Sequence, residues 1–180
     1  MVGVCLKYEQ LNYGSKLQAL ATVRMLEDLG LEYEIIQYNK KTPAFLIKSA
    51  LRLFNYVFLC DRYYQLQRKF EFSRHPQVKA QVEIRNRAFS DYNEHFNAHL
   101  SEYFSSYGDL KKKCSKRYDA LLTCSDQLWS PSALGSGFYN LMFAPADTLQ
   151  VSWASSFGVG SIPWYQRTRT RTYLNRIHHI

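Results

Sequence analysis

Asp126 is the one carboxylate in three loops whose other side chains are small, amide-bearing or aromatic. A carboxyl placed among such groups can give or take a proton at a reacting atom. Beside it in sequence stand Ser125, Gln127 and Trp129. Loop 10–15 supplies Asn12, Tyr13 and Gly14, and loop 155–160 supplies Ser155, Ser156 and Gly158. Hydroxyls, amides and aromatic rings in this mixture suit a sugar, or a phosphate held against the N-terminus of a helix. Each residue also has a purely structural use. Asn12 to Gly14 has the chemistry of a turn. Ser125 can cap a following helix, and Asp126 can occupy its favourable first turn.

Other chemistries lack their signatures. There is no Cys-x-x-Cys and no Cys/His pair at zinc spacing, so no metal is expected. No GxSxG, HExxH or GxGxxG occurs, and the ending Gly14-Ser15-Lys16 is preceded by Glu9 where a phosphate-binding loop needs glycine. His95 and His99 are one helical turn apart but have no third ligand. The cysteines at 5, 60, 114 and 124 read as free thiols of a reducing, cytoplasmic compartment. The basic run KKKCSKR at 111–117 reads as a solvated face. Neither it nor RTRTR is joined by a nucleic-acid motif, so no nucleic-acid partner is expected.

The loops need elements to position them. Residues 2–6 are a short apolar run that reads as a buried strand. Residues 16–29 then read as a helix: Leu17, Ala21, Met25 and Leu29 recur every fourth position, with Ser15 as N-cap and Gly30 just past the end. Residues 31–38 read as a second strand, which makes a βαβ unit and a parallel sheet. Residues 118–124 and 149–155 give two more strands, and Pro163 opens a helical segment running to the end. The fold class is therefore α/β, a Rossmann-like parallel sheet with flanking helices. Ligands of such sheets bind beyond the carboxyl ends of the strands, which gathers the three loops on one rim. Residues 43–107 read as an aromatic-rich helical insertion whose aromatic stripes pack as core, with an aromatic-lined groove as the alternative.

Composition bounds these readings. With 180 residues, 46% hydrophobic and 21% charged, the chain is of globular type and near one domain in length. Tyrosine dominates the 16% aromatic content, which suits surfaces that are half apolar and half wet. A net charge of +8 favours anionic partners. The N-terminus has no signal-peptide pattern, and the apolar-leaning run at 44–60 carries Lys48, Arg52 and Asn55, unlike a membrane span.

The stretches NYGSKLQALATVRMLEDLG, EIIQY, YDALLTCSDQLWSP, VSWASSFG and IPWYQRTRTRTYLNRI follow the order of the polysaccharide pyruvyl transferase family, which the chain resembles over most of residues 1–177. NYGxxLQA and SDQxW are the most specific elements. The resemblance implies a GT-B-like fold of two Rossmann-like domains facing across a cleft. It implies transfer of pyruvate from phosphoenolpyruvate to two hydroxyls of a sugar as a ketal, in cell-surface or exopolysaccharide biosynthesis. Phosphoenolpyruvate is then a donor substrate, with no cofactor, and the acceptor is a sugar or lipid-linked oligosaccharide at the inner face of the membrane. Peripheral membrane contact would follow. Asn12, Gly14, Ser125, Gln127 and Trp129 would line the acceptor side, with Asp126 as acid or base. Tyr13, Ser155, Ser156 and Gly158 complete the expected substrate-binding set.

Two departures stand out. Cys124 replaces a glycine usual before SDQ, adding bulk where close approach is expected. Family enzymes are also roughly twice as long, as two domains require. The expectation is that residues 1–180 form an incomplete N-terminal Rossmann-like domain, with the C-terminal domain absent. Such a fragment would be inactive and, with an exposed sheet edge, prone to self-association. The alternative is a non-catalytic module that binds a glycan or an anion.

Overall fold

Alternating side chains along five short strands sort themselves to two faces. The structure, a computed structural model, describes residues 1–38, 56–131 and 137–180. The strands are β1 (Val2–Leu6), β2 (Tyr33–Tyr38), β3 (Leu100–Phe104), β4 (Ala120–Cys124) and β5 (Leu149–Trp153). All pair in parallel, in the order β3-β2-β1-β4-β5. The helices are α1 (Tyr13–Asp28), α2 (Tyr56–Arg74), α3 (Pro76–Tyr92), α4 (Tyr107–Arg117) and α5 (Trp164–Leu174), with a 3-10 segment at Asn93–His99.

Val4, Leu6, Ile35, Leu122 and Cys124 pack against Ala19, Val23 and Leu26 of α1 and against Phe96. Their strand neighbours Cys5, Ile36 and Leu121 face the other way, onto Leu110 and Cys114 of α4 and onto Phe138 and Phe143. A sheet covered on both faces needs near-continuous apolar strands, which is what VGVCL and ALLTC provide. This is the expected Rossmann-like α/β architecture. Gly3 is what lets the Tyr118 ring lie on β1: a Cβ there would meet Tyr118 and Leu121 side-chain atoms at 2.8 Å.

Several boundaries differ from the sequence reading. Helix α1 begins at Tyr13, ahead of residue 16, because Asn12 caps it; Asn12 Oδ1 accepts from the Ser15 amide at 3.3 Å. Ser15 therefore lies inside the helix. At the other end Gly30 takes the left-handed conformation expected of it, with φ +63°. In the aromatic middle, residues 43–55 lie outside the described residues. Residues 56–74 and 76–92 are helical, but Tyr56, Tyr63, Tyr64 and Phe70 of α2 are exposed and none of its described side chains is buried, so its aromatics form no core. Residues 100–104 form β3, the edge strand, where a helix was expected. Their register with β2 shifts between Ile35 and Gln37, and the Ser101 hydroxyl accepts the Gln37 amide there at 3.0 Å. The basic run lies on α4: Cys114 points into the core, and Lys111, Lys112, Lys113 and Lys116 are solvated. Helix α5 stops at Leu174, and the chain returns to the sheet, where the Ser152 amide donates to the His179 carbonyl at 2.8 Å.

Arg117 ends α4 and clamps β2. Its Nε and Nη2 donate to the two carboxylate oxygens of Glu34 at 2.8 and 2.7 Å, and the Tyr118 hydroxyl donates to the same carboxylate at 2.9 Å. The Arg117 hydrogen bonds hold the Glu34 carboxyl below the usual carboxylate range. A carboxyl whose pKa is lower folded than unfolded adds stability above its unfolded value, about 4.3, and that stability is lost as pH falls through the folded value. Glu34→Gln is therefore expected to flatten the fall in urea midpoint as buffer is taken from about pH 5 downward. Gly3→Ala should cost about 1–3 kcal/mol in denaturant unfolding, because the buried Tyr118 ring has little room to retreat.

Candidate functional site

Strands β1 and β4 are neighbours, but the chain leaves them in opposite directions. After β1 it enters α1 and returns to β2 on one side; after β4 it moves on to β5 on the other. Such a switch point opens a crevice at the carboxyl ends of the two strands. A cavity of about 360 Å³ lies there. The first loop and α1 contribute Lys7, Gln10, Asn12, Gly14 and Ser15 to its wall, and the second contributes Ser125, Asp126, Gln127 and Ser130.

The sheet thus brings Asn12, Gly14, Ser125, Asp126 and Gln127 together from two distant stretches of sequence. Loop 155–160 joins them by hydrogen bonds. Ser156 Oγ donates to Asp126 Oδ1 at 3.2 Å and accepts the Gln127 amide at 3.2 Å, and the Ser156 carbonyl accepts the Trp129 amide at 3.2 Å. Gly158, with φ +65°, lies under the Gln127 side chain; a Cβ there would fall 2.5 Å from Gln127 Cγ. Ser155 is one step behind, its hydroxyl 2.8 Å from that of Ser152.

Two of the expected residues face elsewhere. Trp129 is 2% exposed and packs with Leu128, Tyr173 and Ile177, so its indole anchors the loop from beneath. Tyr13 is exposed on α1, its ring edge-on to Phe89 with centroids 4.7 Å apart. Cys124, in the place of the family's glycine, is also turned away from the crevice. Its thiol is buried under α1 with Sγ 2.8 Å from Thr22 Oγ1, so the added bulk is taken up by the core. Burial pushes that thiol's pKa up.

Sequence reasoning missed Lys7, Ser130 and above all Gln18. The Gln18 side chain reaches from α1 to both outer loops: Oε1 accepts the Asp126 amide at 2.7 Å, and Nε2 donates to the Ala154 carbonyl at 3.3 Å. Gln127 and Ala154 both hold left-handed backbone, with φ 40° and 51°, a conformation that costs a non-glycine residue energy and needs a supporting frame. A signal for Gln18 was present: it follows Gly14 by one helical turn, so both occupy one face. Lys16 supplies a further brace. It is buried, and its ammonium donates to the Tyr8 carbonyl and to Asn93 Oδ1, tying α1 to the loop after β1 and to the 3-10 segment. Burial lowers the Lys16 pKa.

In charge, the crevice joins the positive N-terminal end of α1 and the Lys7 ammonium to the Asp126 carboxylate. Lys7 Nζ also lies 5.2 Å from the centre of the Tyr139 ring. The wall is otherwise hydroxyl and amide, a set that can donate to and accept from several hydroxyls at once.

An open parallel sheet with a polar crevice at its switch point defines a Rossmann-like α/β protein. Within that class, the family model for polysaccharide pyruvyl transferase matches residues 12–180, and the chain belongs to that family. No curated protein matches the chain. No solved structure matches it.

Gln18→Ala removes both hydrogen bonds to the outer loops and is expected to cost about 1–2 kcal/mol. Hydrogen exchange should locate the damage: the Asp126 amide should lose protection, while β1 and β4 amides keep theirs.

Proposed function

We propose that this chain provides the acceptor side of a pyruvyl transferase, with phosphoenolpyruvate as the donor and a sugar of a surface polysaccharide as the acceptor. In the reaction, one sugar hydroxyl bonds to C2 of phosphoenolpyruvate, a proton adds at C3, and the C–O bond to phosphate breaks. A second hydroxyl then closes the ketal. Of the two hydroxyl protons, one ends on the new methyl group and the other on phosphate. A group that takes a proton from a hydroxyl and passes one to carbon is needed close by. Asp126 is the candidate, oriented by Ser156 Oγ at 3.2 Å.

The observation that supports the acceptor side is the charge of the crevice. Donor carboxylate and phosphate together carry about three negative charges, which call for several cations aimed at them. Among the described residues that line the cavity, Lys7 is the one cation, against the Asp126 carboxylate. The hydroxyl and amide wall matches a sugar far better than it matches that anion. The clamps for the donor would then lie on another surface facing this one, as in GT-B-like folds.

Calorimetry with oligosaccharide acceptors tests the assignment. Acceptor binding is expected to weaken about tenfold in Gln127→Ala. It should change little in Asp126→Asn, which keeps the shape and removes the proton chemistry. Tight binding of phosphoenolpyruvate in this crevice, or rapid phosphate release by the chain alone, would show that the donor side had been misassigned.

A further inference from the structure

Helices α2 and α3 are joined by His75 alone, whose amide donates to the Glu71 carbonyl and whose carbonyl accepts the Lys79 amide, both at 3.1 Å, so the two run on as one rod kinked at Pro76. None of the described side chains of α2 is buried, and burial resumes only at Phe89, near the end of α3. Yet α2 is not polar on all sides. Tyr56, Leu59, Tyr63, Leu66 and Phe70 follow one another at intervals of three and four residues, which places them in one stripe along the helix. All five are open to solvent, at 45–79% exposure. Arg62 and Lys69 flank the stripe on one side and Arg74 on the other. The Arg74 guanidinium lies 4.3 Å from the centre of the Phe70 ring.

We propose that this face of α2 lies on the surface of an anionic phospholipid bilayer. The inference concerns a surface apart from the crevice and does not rest on the function proposed above. Charge complementarity selects the occupant. If a second copy paired along the stripe, Lys69 would face Arg74 in a parallel pair, or Arg62 in an antiparallel one, and like charges would meet either way. A sealed helix–helix seam would also bury the hydroxyls of Tyr56 and Tyr63. At a membrane surface, a tyrosine keeps its ring among acyl chains and its hydroxyl among headgroups. Tyr63 Oη already accepts from Gln67 Nε2 at 2.9 Å, and its own O–H is suited to a lipid phosphate. The flanking cations meet the negative headgroups. No helix among the described residues is long and apolar enough to cross a membrane, so the contact is one of lying on the surface.

The C-terminal end of α3 docks on α1, since Phe89 packs on Tyr13 and Asn93 accepts from Lys16.

Flotation of the whole chain with phosphatidylcholine vesicles, with and without phosphatidylglycerol, tests the proposal. Binding is expected only where phosphatidylglycerol is present, and it should weaken as salt rises. Arg62→Gln with Lys69→Gln should lower the partition coefficient about 30-fold, at about 1 kcal/mol per cation. Tyr63→Ser with Phe70→Ser should lower it at least about tenfold through lost apolar contact. Lys112→Gln with Lys116→Gln on α4 should leave it within about twofold. All of these positions are exposed, and either α2 pair alone carries the test. Equal binding to neutral vesicles, no binding to either kind, or the same loss from the α4 pair would overturn the proposal. So would a dimer in sedimentation that the Tyr63/Phe70 pair dissolves, which would assign the stripe to a second copy.

Discussion

The side-chain amide of Gln18 bridges the loops after β4 and β5, bonding the Asp126 amide at one end and the Ala154 carbonyl at the other. Backbone amides at the ends of parallel strands have left the ladder and must find partners. In the loop after β4 they find side chains: Asp126 bonds to Gln18, and Gln127 bonds to Ser156. The loop after β5 is tied in turn, through the Ala154 carbonyl, to the other end of the same amide. One helix side chain thus sets the spacing of three chain segments. The crevice exists in its present shape because the left-handed turns at Gln127 and Ala154 are held from both sides.

The core supports this arrangement from below. Cys124 closes β4 against Thr22 of α1, and Trp129 is sunk among Leu128, Tyr173 and Ile177. The loop carrying Asp126 is therefore pinned before and after the residues that face the cavity. That is the condition for an exposed carboxylate to hold a fixed direction on a loop: its neighbours give up their own mobility to the core. Lys16 does comparable work on the other wall, where its buried ammonium has two neutral oxygen partners and joins α1 to the 3-10 segment that follows α3.

Much of this was legible in the sequence. Continuous apolar runs announced β1 and β4, alternation into the Ile35–Ile36 pair announced β2, and the strand–helix–strand opening announced a parallel sheet, from which the common rim of the three loops followed. What escaped has physical reasons. Leu100–Phe104 alternates weakly and follows a long helical pattern, so its strand character comes from pairing with β2 and not from local propensity. Trp129 reads as a crevice residue because it closes the loop 125–129 and the SDQxW element, but the structure turns its indole inward among Leu128, Tyr173 and Ile177. The aromatic stripes of α2 were expected to be core, since periodicity reports which residues share a face and says nothing about what that face meets. Gln18 stands one turn after Gly14 within NYGxxLQA, but a polar residue on a helix reads as solvated until the loops it reaches are known.

The four cysteine thiols are divided unequally. Cys5, Cys114 and Cys124 are buried beneath the sheet's two coverings, while Cys60 is partly open on α2. An electrophile meeting the folded chain therefore reaches Cys60 on α2 before any of the three core thiols. A fluorophore attached through Cys60 would land beside the aromatic stripe without disturbing the strands, and a late attachment at Cys124 would mark the moment when α1 lifts from β4.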